Sequence, residues 1–395
     1  MIEEAYEGDL RKASKILRGV REAVLIFHDD ADGLCAGAIA SLALDRIEVK
    51  HRLICVEKLS PEIIELIHSQ GAELYLYLDI GSGRADLIAE NLERSGGSVI
   101  IADHHDPAEA KHESLLHLNP ELYGYSGETD ASGSTATYLL MRSSCELMDA
   151  AWLAVVGSAE IPGALRSLNR LALEDAVEAG DVEVKGDGGG ERYVITFLKK
   201  PWDKISSALT AIGSIGYYEG GPYEAVRNLK SRRFPADLAK RFQELRRKRF
   251  AQATAIISRR GLQVDGMVQW FHLGDMFRGL GAKSIGTLTS ILSYKRAADP
   301  KKYLMGFMSF EPEIPGLGRI RGSWVKVSVR APKPLAKLIQ DGVMPPISDL
   351  AIRAAERVGG SADGHRFAAS GLIPAGREGD FIREFNRLID ELKPG

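Results

Sequence analysis

Short apolar runs alternate with helix-like stretches in the first third of the chain. The runs are rich in β-branched and aromatic residues and recur at 22–27, 48–56, 73–78, 98–102 and 114–118. Segments with a helical spacing of apolar residues separate the first four runs: LCAGAIASLALDRI, PEIIELIHSQ and RADLIAENLERS. Strands that alternate with helices of this length form right-handed βαβ units. The pattern therefore predicts an α/β fold with an N-terminal parallel sheet and helices on both of its faces.

A second α/β pattern begins after Gly261. There the apolar runs VQWFHL, YLMGFMSF and WVKVSVR alternate with the helix-like segments SIGTLTSILSYK and LAIRAAERV. Between the two patterns, residues 132–148 are typical of a helix, and DVEVKGDGGGERYVIT is typical of a hairpin around a glycine turn. We expect a smaller C-terminal α/β domain, since 395 residues are too many for one compact core.

A basic segment, residues 227–260, lies between the two patterns. It contains twelve Lys or Arg residues and two acidic residues, whereas the whole chain has a net charge of −3. We predict a catalytic domain over 1–226, a basic helical connector over 227–260 and a second domain over 261–395. An excess of one charge favours contact with a nucleic-acid backbone. However, a charged helix face is often only solvated, and Phe234, Phe242 and Phe250 have the spacing of a buried stripe.

Composition excludes several classes of protein. Three cysteines without a CxxC pair exclude a thiolate zinc site and a disulfide scaffold, and they favour a reducing compartment. The first residues, MIEEAYEGDLRKASKIL, are charged, unlike a secretion signal. No apolar run approaches the roughly 18 residues that would cross a bilayer. We therefore expect a cytoplasmic protein with no membrane partner.

Acids and histidines follow three of the predicted strands. His28, Asp30 and Asp32 follow the first strand, Asp79 ends the third, and ADHHDP places Asp103, His104 and His105 at the end of the fourth. In doubly wound sheets, ligands collect at the carboxyl ends of the strands. These side chains are therefore expected to converge on one site.

Clustered carboxylates repel each other strongly unless cations neutralise them. Carboxylate oxygens mixed with imidazole suit Mn²⁺ or Mg²⁺. There are enough ligands for two divalent cations, which at about 4 Å apart could promote hydrolysis of a phosphate ester. The alternative for any one of these acids is a solvated turn residue, since Asp is common after strands.

The motifs HDDADG, LDIG and ADHHDP, in this order and spacing, resemble those of the DHH phosphoesterase superfamily. NPELYGYSGETDASGSTATYLL is similar to the asparagine–proline turn and small-residue helix that follow in that family. WVKVSVR and VGGSADGHRFAASG resemble its companion domain, DHHA1, which carries a serine-x-arginine strand and a glycine-rich loop. The resemblance covers roughly residues 23–165 and 280–374.

The resemblance implies specific roles for the residues at the strand ends. Asp79 would be a carboxylate shared by two metal ions, His105 would stabilise charge near the scissile phosphate, and Asp103 would orient its neighbours. The family's next motif supplies an aspartate where AVVGSAEI offers Glu160, so Glu160 is either a further ligand or a plain surface residue. The implied metal ligands are His28, Asp30, Asp32, Asp79, His104 and Glu160.

The companion domain would bind the substrate. Arg330 can form a bidentate contact with phosphate, and glycines allow close backbone approach to an anion. Without the resemblance, the same glycines would be ordinary turn signals and a lone histidine would be structural. The implied substrate-binding residues are Ser328, Arg330, Gly359, Gly360, Gly364 and His365.

The resemblance implies a two-metal exonuclease that acts on single-stranded DNA or RNA, in repair, replication or RNA end processing. Length and layout are closest to archaeal RecJ-like members, including Hef-associated nucleases, which remove nucleotides from 3′ ends and imply a Hef-type helicase as a partner. A nano-RNase or cyclic-dinucleotide phosphodiesterase has the same two domains but shorter substrates. A third alternative is an inactive scaffold in a replication or repair complex.

Overall fold

The computed structural model describes residues 2–187 and 190–393 and divides into two compact units. The N-terminal unit comprises the chain up to Gln243 together with Pro315–Gly318. The C-terminal unit comprises Glu244–Ile314 and the chain from Arg319 onward. In the described ranges, no helix is both long and apolar enough to cross a membrane.

The N-terminal unit alternates strands and helices up to its fourth strand and is mainly helical afterwards. Its elements, in chain order, are α1 (Glu4–Gly19), β1 (Glu22–His28), α2 (Ala31–Arg46), β2 (Lys50–Val56), α3 (Pro61–His68), β3 (Leu74–Leu78), α4 (Ala85–Ser95), β4 (Ser98–Ala102), β5 (Leu115–Leu118), α5 (Gly133–Arg142), α6 (Ala151–Gly157), α7 (Ser167–Glu178), β6 (Val182–Asp187), β7 (Gly190–Ile195), β8 (Lys200–Pro201), α8 (Trp202–Ile215) and α9 (Gly221–Lys230).

The first five strands form one sheet in the order β2-β1-β3-β4-β5, and every neighbouring pair is parallel. The predicted parallel α/β sheet is therefore confirmed. Because β1 has β2 on one side and β3 on the other, the chain reverses its direction of winding between β1 and β3. Such a reversal opens a crevice at the carboxyl ends of the two strands, where ligands bind in sheets of this order.

Local sequence explains how the helices start beside this crevice. Asp30 caps α2 by accepting a hydrogen bond from the Gly33 N–H (3.1 Å), and Ser132 caps α5 by accepting one from the Thr135 N–H (3.1 Å). Small and apolar residues make α2 almost wholly buried, and it packs against β1, α5 and α6. The central helix therefore has little freedom to move relative to the sheet.

The predicted hairpin forms from β6 and β7, and β8 adds a third strand. Gly188 and Gly189, which the sequence predicts to be in the turn, lie outside the described residues. The predicted helix over 132–148 is shorter, because α5 ends at Arg142 and a 3₁₀ turn follows at Met148–Ala150. The apolar run WLAVVGSAEI forms most of α6 and the 3₁₀ turn Ser158–Glu160.

The basic segment contains the end of α9, a turn at 231–235 and the helix α10 (Ala236–Arg260). The boundary between the two units falls inside α10, between Gln243 and Glu244. Phe242 and Phe250 are buried, as their spacing predicts, so they are not available for stacking on bases. Phe234 precedes the helix and is partly exposed.

The C-terminal unit is a mixed sheet with most of its helices on one face. Its elements are β9 (Gln263–Asp265), β10 (Val268–His272), α11 (Lys283–Ser293), β11 (Tyr303–Phe310), β12 (Glu313–Ile314), β13 (Gly318–Arg319), β14 (Trp324–Arg330), α12 (Lys333–Gln340), α13 (Ile347–Arg357), β15 (Ser361–His365), β16 (Ala368–Pro374) and α14 (Glu378–Leu392).

Six of these strands form the sheet, in the order β15-β16-β14-β11-β10-β9. Alternate residues of β14 point to opposite faces. Val325, Val327 and Val329 join an apolar core with α12, α13 and α14. The opposite face packs against α11. The predicted second α/β pattern is confirmed.

Candidate metal centre

The predicted ligands lie at the crevice between β1 and β3. The register pairs Phe27 with Leu78 and Leu78 with Ala102, so the next residues, His28, Asp79 and Asp103, end neighbouring strands at the same level. The Asp79 N–H donates to the Ala102 carbonyl at 2.9 Å and continues the ladder by one residue. Parallel strand geometry thus brings three motifs that are far apart in sequence to one edge.

Asp79 lies at the centre of the site and is in an unusual position. Its φ is +58°, a left-handed conformation that is uncommon outside glycine and clusters at functional sites. The side chain is 1% exposed, and neither carboxylate oxygen accepts a hydrogen bond from a described residue. A buried carboxylate without hydrogen bonds is costly unless a cation lies beside it.

Two groups of candidate metal ligands share Asp79. One contains His28, Asp30 and Asp79, and the other contains Asp79, His104 and His105. Within each group, the candidate ligand atoms lie within 4.8 Å of one another. In the first, His28 Nδ1 is 3.0 Å from Asp30 Oδ2 and 3.6 Å from Asp79 Oδ2. The shared aspartate is the residue that the resemblance assigns to two metal ions.

The ring of His104 is oriented by a backbone carbonyl. Nδ1 is 2.7 Å from the Gly127 carbonyl, which only accepts hydrogen bonds, so Nδ1 carries the proton. Nε2 then faces Asp79 Oδ1 at 3.5 Å and Asp32 Oδ2 at 3.7 Å. Burial lowers the pKa of His104, but Asp79 and Asp32 outweigh it and raise the pKa to about 10. The carboxylates thus stabilise a positive charge here, as they would a metal ion.

Asp32 belongs to neither group of three, and both of its oxygens are bound at the start of α5. The Gly133 N–H donates to Oδ2 and the Ser134 N–H donates to Oδ1, each at 2.8 Å. Burial, reinforced by the charge of Asp79, raises the pKa of Asp32 to about 7. Asp32 therefore faces His104 and Asp79 in a fixed orientation, with lone pairs still available on both oxygens.

Two glycines make this close packing possible. A Cβ at position 133 would overlap Asp79 Oδ1, and a Cβ at position 157 would overlap both Asp32 Oδ1 and Ser134 Oγ. The sequence analysis did not single out either residue. Its only signal was the small-residue run around Ser132, which indicates a close approach of the helix start without showing what it approaches.

Asp103 is buried and accepts hydrogen bonds that fix the loop after β4. Its Oδ1 accepts from the His104 N–H (2.8 Å) and from His105 Nδ1 (2.7 Å), and its Oδ2 accepts from the Ser82 N–H (2.8 Å). Burial raises the pKa of Asp103, but the His105 charge and these donors lower it well below its usual range. The charge of Asp103 in turn raises the pKa of His105. Asp103 therefore orients both histidines.

His105 is the most exposed of these residues, with 48% of its side chain accessible. With Nδ1 held by Asp103, Nε2 is the nitrogen available to a ligand. The loop is supported from below by buried Asn119, whose side-chain amide donates to the His105 carbonyl (2.7 Å) and to Ser82 Oγ (2.8 Å). Asn119 begins the asparagine–proline turn, so the motif was visible in the sequence although this contact was not.

Glu160 does not lie in either group of ligands among the described residues. It is exposed at the end of the 3₁₀ turn that follows α6. The neighbouring Ser158 is instead buried and hydrogen-bonded to Ser132 Oγ (2.9 Å). The assignment of Glu160 as a ligand therefore rests on the sequence motif alone.

The predicted substrate-binding pair of β14 is partly covered by α11. Ser328 is 0% exposed, and a Cβ on Gly286 of α11 would lie 3.4 Å from its Oγ. Arg330 donates from Nε to Ser290 Oγ (2.9 Å) and from Nη1 to the Val329 carbonyl (2.9 Å) and the Ala369 carbonyl (3.2 Å). Burial lowers the pKa of Arg330. Arg330 thus has hydrogen-bond partners within the protein, and its Nη2 group is left as a donor for a ligand.

The predicted glycine loop is not one loop. Gly359 and Gly360 end α13, where their N–H groups donate to the carbonyls of Glu356 (3.0 Å) and Ala355 (2.8 Å). Gly364 and His365 lie at the other end of β15, roughly 13 Å away along the strand. His365, which is exposed, and Arg330 both pair with Ala368 of β16. The sheet therefore places His365 and Arg330 in the same row across its strands.

The donor set fits hard divalent cations. It combines buried carboxylate oxygens with imidazole nitrogens whose second nitrogen is held by a protein acceptor in His104 and His105. The unsatisfied carboxylate of Asp79 is the group that a cation would neutralise. Carboxylate and imidazole without thiolate favour Mn²⁺ or Mg²⁺.

Part of the chain is similar in sequence to known proteins. Residues 22–158 match the model of the DHH family, N-terminal domain. An uncharacterized protein of Methanocaldococcus jannaschii is 28% identical over 194 residues, 45% of this chain and 44% of its own length. The single-stranded-DNA-specific exonuclease RecJ of Dickeya dadantii is 30% identical over 180 residues, 42% of this chain and 31% of its own length. The matches thus span less than half of either relative.

Solved structures match the whole chain in fold. RecJ from Thermus thermophilus in complex with Mn²⁺ has a TM-score of 0.66 and 17% identity, over 100% of this chain and 56% of its own. Its complex with Mg²⁺ has a TM-score of 0.58 and 16% identity, over 97% of this chain and 52% of its own. CDC45 from Entamoeba histolytica has a TM-score of 0.57 and 11% identity, over 98% of each chain. At such identities, the similarity establishes the fold alone.

Proposed function

We propose that this chain, whose residues 22–158 form a DHH-family domain and whose fold is RecJ-like, is a two-metal-ion exonuclease that hydrolyses single-stranded DNA or RNA. The family match over residues 22–158 and the RecJ-like fold support a DHH phosphoesterase-type protein, and the activity is our proposal. The observation that carries it is the pair of ligand groups that share Asp79, whose buried carboxylate accepts no hydrogen bond from a described residue.

His28, Asp30 and Asp79 would hold one cation, and Asp79, His104 and Asp32 would hold the second. When bound, divalent cations supply Lewis acidity, which makes water a better nucleophile and offsets negative charge on the phosphoryl oxygens. The family domain, the donor set and the Mn²⁺ and Mg²⁺ complexes of RecJ support a divalent cation. The number of ions is part of the proposal.

His105 is suited to contact the substrate rather than a buried ion. Its side chain is the most accessible of the cluster, and Asp103 fixes its ring through Nδ1 at 2.7 Å. Asp103 also raises the pKa of His105 and so favours the protonated ring, in which Nε2–H is free to donate to a phosphate oxygen. That donor would stabilise charge on the phosphate during hydrolysis.

The charge of helix α10 is consistent with a polyanionic substrate. Arg247 and Lys248 are exposed, and neither forms an ion pair with a described residue. Cations without acidic partners attract the phosphates of a nucleic-acid chain. In the C-terminal unit, exposed His365 and the remaining donors of Arg330 are the predicted substrate contacts.

Polarity and biological context are taken from the family resemblance. It favours removal of nucleotides from a 3′ end, in DNA repair or replication or in RNA end processing, with a Hef-type helicase as a conceivable partner in the archaeal group. RecJ, by its name, is a single-stranded-DNA-specific exonuclease. For this chain, these points stay predictions.

The test is digestion of single-stranded DNA and RNA 20-mers labelled at either end, with Mn²⁺ or Mg²⁺, alongside the Asp79→Asn variant. We expect stepwise shortening from one end, dependent on the cation and absent in the variant. A dinucleotide substrate is run in parallel. Cleavage of the dinucleotide with no cleavage of the 20-mer would identify a nano-RNase instead.

An inactive scaffold is the second candidate, and two observations favour it. CDC45 matches this fold over 98% of both chains, and the position predicted for a further acidic ligand carries an exposed Glu160. In that case the wild-type protein would bind single strands and leave 20-mers and dinucleotides intact with either cation.

A further inference from the structure

Asp29 is a buried carboxylate that the proposed function does not use. It lies between His28 and Asp30, in the turn from β1 to α2, and its side chain is 0% exposed. Its Oδ1 is 3.4 Å from Nε2 of His28. Among the described residues, Asp29 belongs to neither group of candidate ligands. It therefore contacts a ligand without being placed as one.

The two ring nitrogens of His28 face different groups. Nδ1 lies 3.0 Å from Asp30 Oδ2 and 3.6 Å from Asp79 Oδ2, whereas Nε2 faces Asp29. A neutral imidazole has its proton on one nitrogen and a lone pair on the other, and a metal ion binds the lone pair. The group that faces Nε2 therefore decides whether Nδ1 can act as a ligand.

We infer that Asp29 is a positioning residue, which accepts the Nε2–H of His28 and keeps the Nδ1 lone pair directed at Asp30 and Asp79. The inference rests on the metal-dependent function proposed above. A carboxylate behind a metal-binding histidine fixes the tautomer and the ring orientation, and it makes the imidazole a stronger donor. The distance of 3.4 Å is long for a hydrogen bond, and on this inference it would shorten in the metal-bound protein.

The other two histidines have acceptors of their own, but on the opposite ring atom. His104 and His105 use Nδ1 to contact the Gly127 carbonyl and the Asp103 carboxylate, so each presents Nε2. His28 directs Nδ1 at the candidate metal ligands, so the acceptor that fixes its ring must lie beside Nε2. The next residue in the chain, Asp29, supplies a carboxylate on that side.

Helix α8 fixes the backbone of Asp29 from behind. A Cβ on Gly213 would overlap the Asp29 carbonyl, and the Ala31 N–H donates to Thr210 Oγ1 at 3.2 Å. These contacts hold the turn at both sides of Asp30. The carboxylate of Asp29 is therefore held close to His28 by packing that does not depend on the metal.

The first experiment measures Mn²⁺ affinity by electron paramagnetic resonance in the full chain, with Asp29→Asn, Asp29→Ala and the exposed control Asp86→Asn on α4. We expect Asp29→Ala to weaken binding about 10- to 100-fold, the range for partners behind a ligand. Asp29→Asn should lose less, because its amide oxygen still accepts the N–H, and the control should match wild type. Equal losses in both Asp29 variants would make Asp29 a ligand and overturn the inference, as would no loss in either.

The second experiment needs no variant. Nitrogen-15 NMR of the wild-type protein with Mg²⁺ should show His28 protonated on Nε2, with the shift of a coordinated nitrogen at Nδ1. A His28 ring protonated on Nδ1 contradicts the inference. A variant that does not fold therefore leaves the inference testable.

Failure of this inference differs from failure of the proposed function. If the wild-type protein binds Mn²⁺ with the expected tautomer but leaves single strands intact, the nuclease proposal fails and the role of Asp29 stands. If the protein digests single strands and both Asp29 variants bind Mn²⁺ as tightly as wild type, only the role of Asp29 is overturned.

Discussion

The metal centre and the serine-x-arginine strand both bury charged or polar groups, but they satisfy them differently. At the metal centre, Asp79 is buried with two oxygens that accept no hydrogen bond from a described residue. On β14, Arg330 donates to Ser290, Val329 and Ala369 within the C-terminal unit. The carboxylate of Asp79 therefore lacks hydrogen-bond donors among the described residues, whose place a bound cation would take, whereas the guanidinium of Arg330 already has protein acceptors.

This difference separates two kinds of mutational effect. A buried carboxylate without partners destabilises the fold, so its removal should affect function far more than stability. A satisfied guanidinium stabilises the fold, so its removal should affect stability as well as any ligand. The comparison predicts opposite results for substitutions that look equally severe in the sequence.

The largest expected effect is that of Asp79→Asn on activity. Loss of a carboxylate shared by both ions should reduce activity more than loss of a residue that only supports a ligand. The rate of hydrolysis should therefore fall about a hundredfold or more. Without metal, the midpoint of thermal unfolding should change little, because removal of a buried negative charge is offset by loss of its attraction to His104. Timed digestion of a labelled 20-mer and a melting curve in EDTA measure both. A fall in the melting temperature measured in EDTA would contradict this prediction. The exposed Asp86→Asn variant is the control.

The next largest effect concerns His68, a buried histidine in the same unit with neutral partners. Its Nδ1 is 2.9 Å from Ser95 Oγ, and its Nε2 is 3.0 Å from Tyr77 OH. Burial lowers the pKa of His68 to about 4, whereas the carboxylates raise that of His104. As pH falls below about 6.5, the unfolded chain takes up the proton first and the free energy of unfolding falls, by about 3 kcal/mol at pH 4.

Urea unfolding between pH 7.5 and 4 measures this dependence. Two proteins are compared, with His68 and with His68→Gln, and both carry Asp79→Asn. We expect a flatter pH dependence for His68→Gln, since glutamine does not titrate. Parallel curves for the two proteins would show that His68 is not the group responsible.

A smaller effect is expected on β14. Arg330→Ala should lower the free energy of unfolding by about 2 kcal/mol, because it removes three side-chain hydrogen bonds from a buried position. Its matched control is Ser328→Ala, two residues away, whose buried Oγ makes no hydrogen bond with a described residue and should be nearly neutral. If Arg330→Ala were as stable as Ser328→Ala, Arg330 would serve a ligand only.

The smallest effect is that of a single exposed cation on α10. Arg247→Ala should weaken binding of a single-stranded 20-mer a few-fold and reduce the salt dependence, the slope of log K against log salt, by about 1. Fluorescence anisotropy at several salt concentrations measures it. The control is Arg241→Ala on the same helix, which already pairs with Glu219 and should change the slope less.

The convergence of the candidate metal ligands was largely predictable, because parallel strands place their carboxyl ends at one edge. His28, Asp79 and Asp103 needed only the strand positions, which the apolar runs gave to within two residues. The contacts of Gly133 and Gly157 were not predictable, since they depend on where α5 and α6 pack against the sheet. Asp29 was missed because nothing in HDDADG tells which of three acids faces which nitrogen.

The C-terminal site was less predictable for a physical reason. Glycines four residues apart in the sequence are separated when one ends a helix and the other lies at the far end of the next strand, as for Gly360 and Gly364. Likewise, a serine on the same face as Arg330 can still be covered by a helix, and α11 covers Ser328. Such covering comes from packing between elements and leaves no mark in the local pattern.

Helix α5 connects two acids to a distant point of the N-terminal unit. Its first turn contacts Asp32 through two N–H groups and Asp79 through the bare Cα of Gly133. Its last turns, about 14 Å away, are anchored by Tyr138 and Arg142 on Asp175. Since a short helix moves largely as one body, loosening that anchor would shift the contacts of α5 with both acids together, so the geometry around them depends on a residue pair at the far end of the helix.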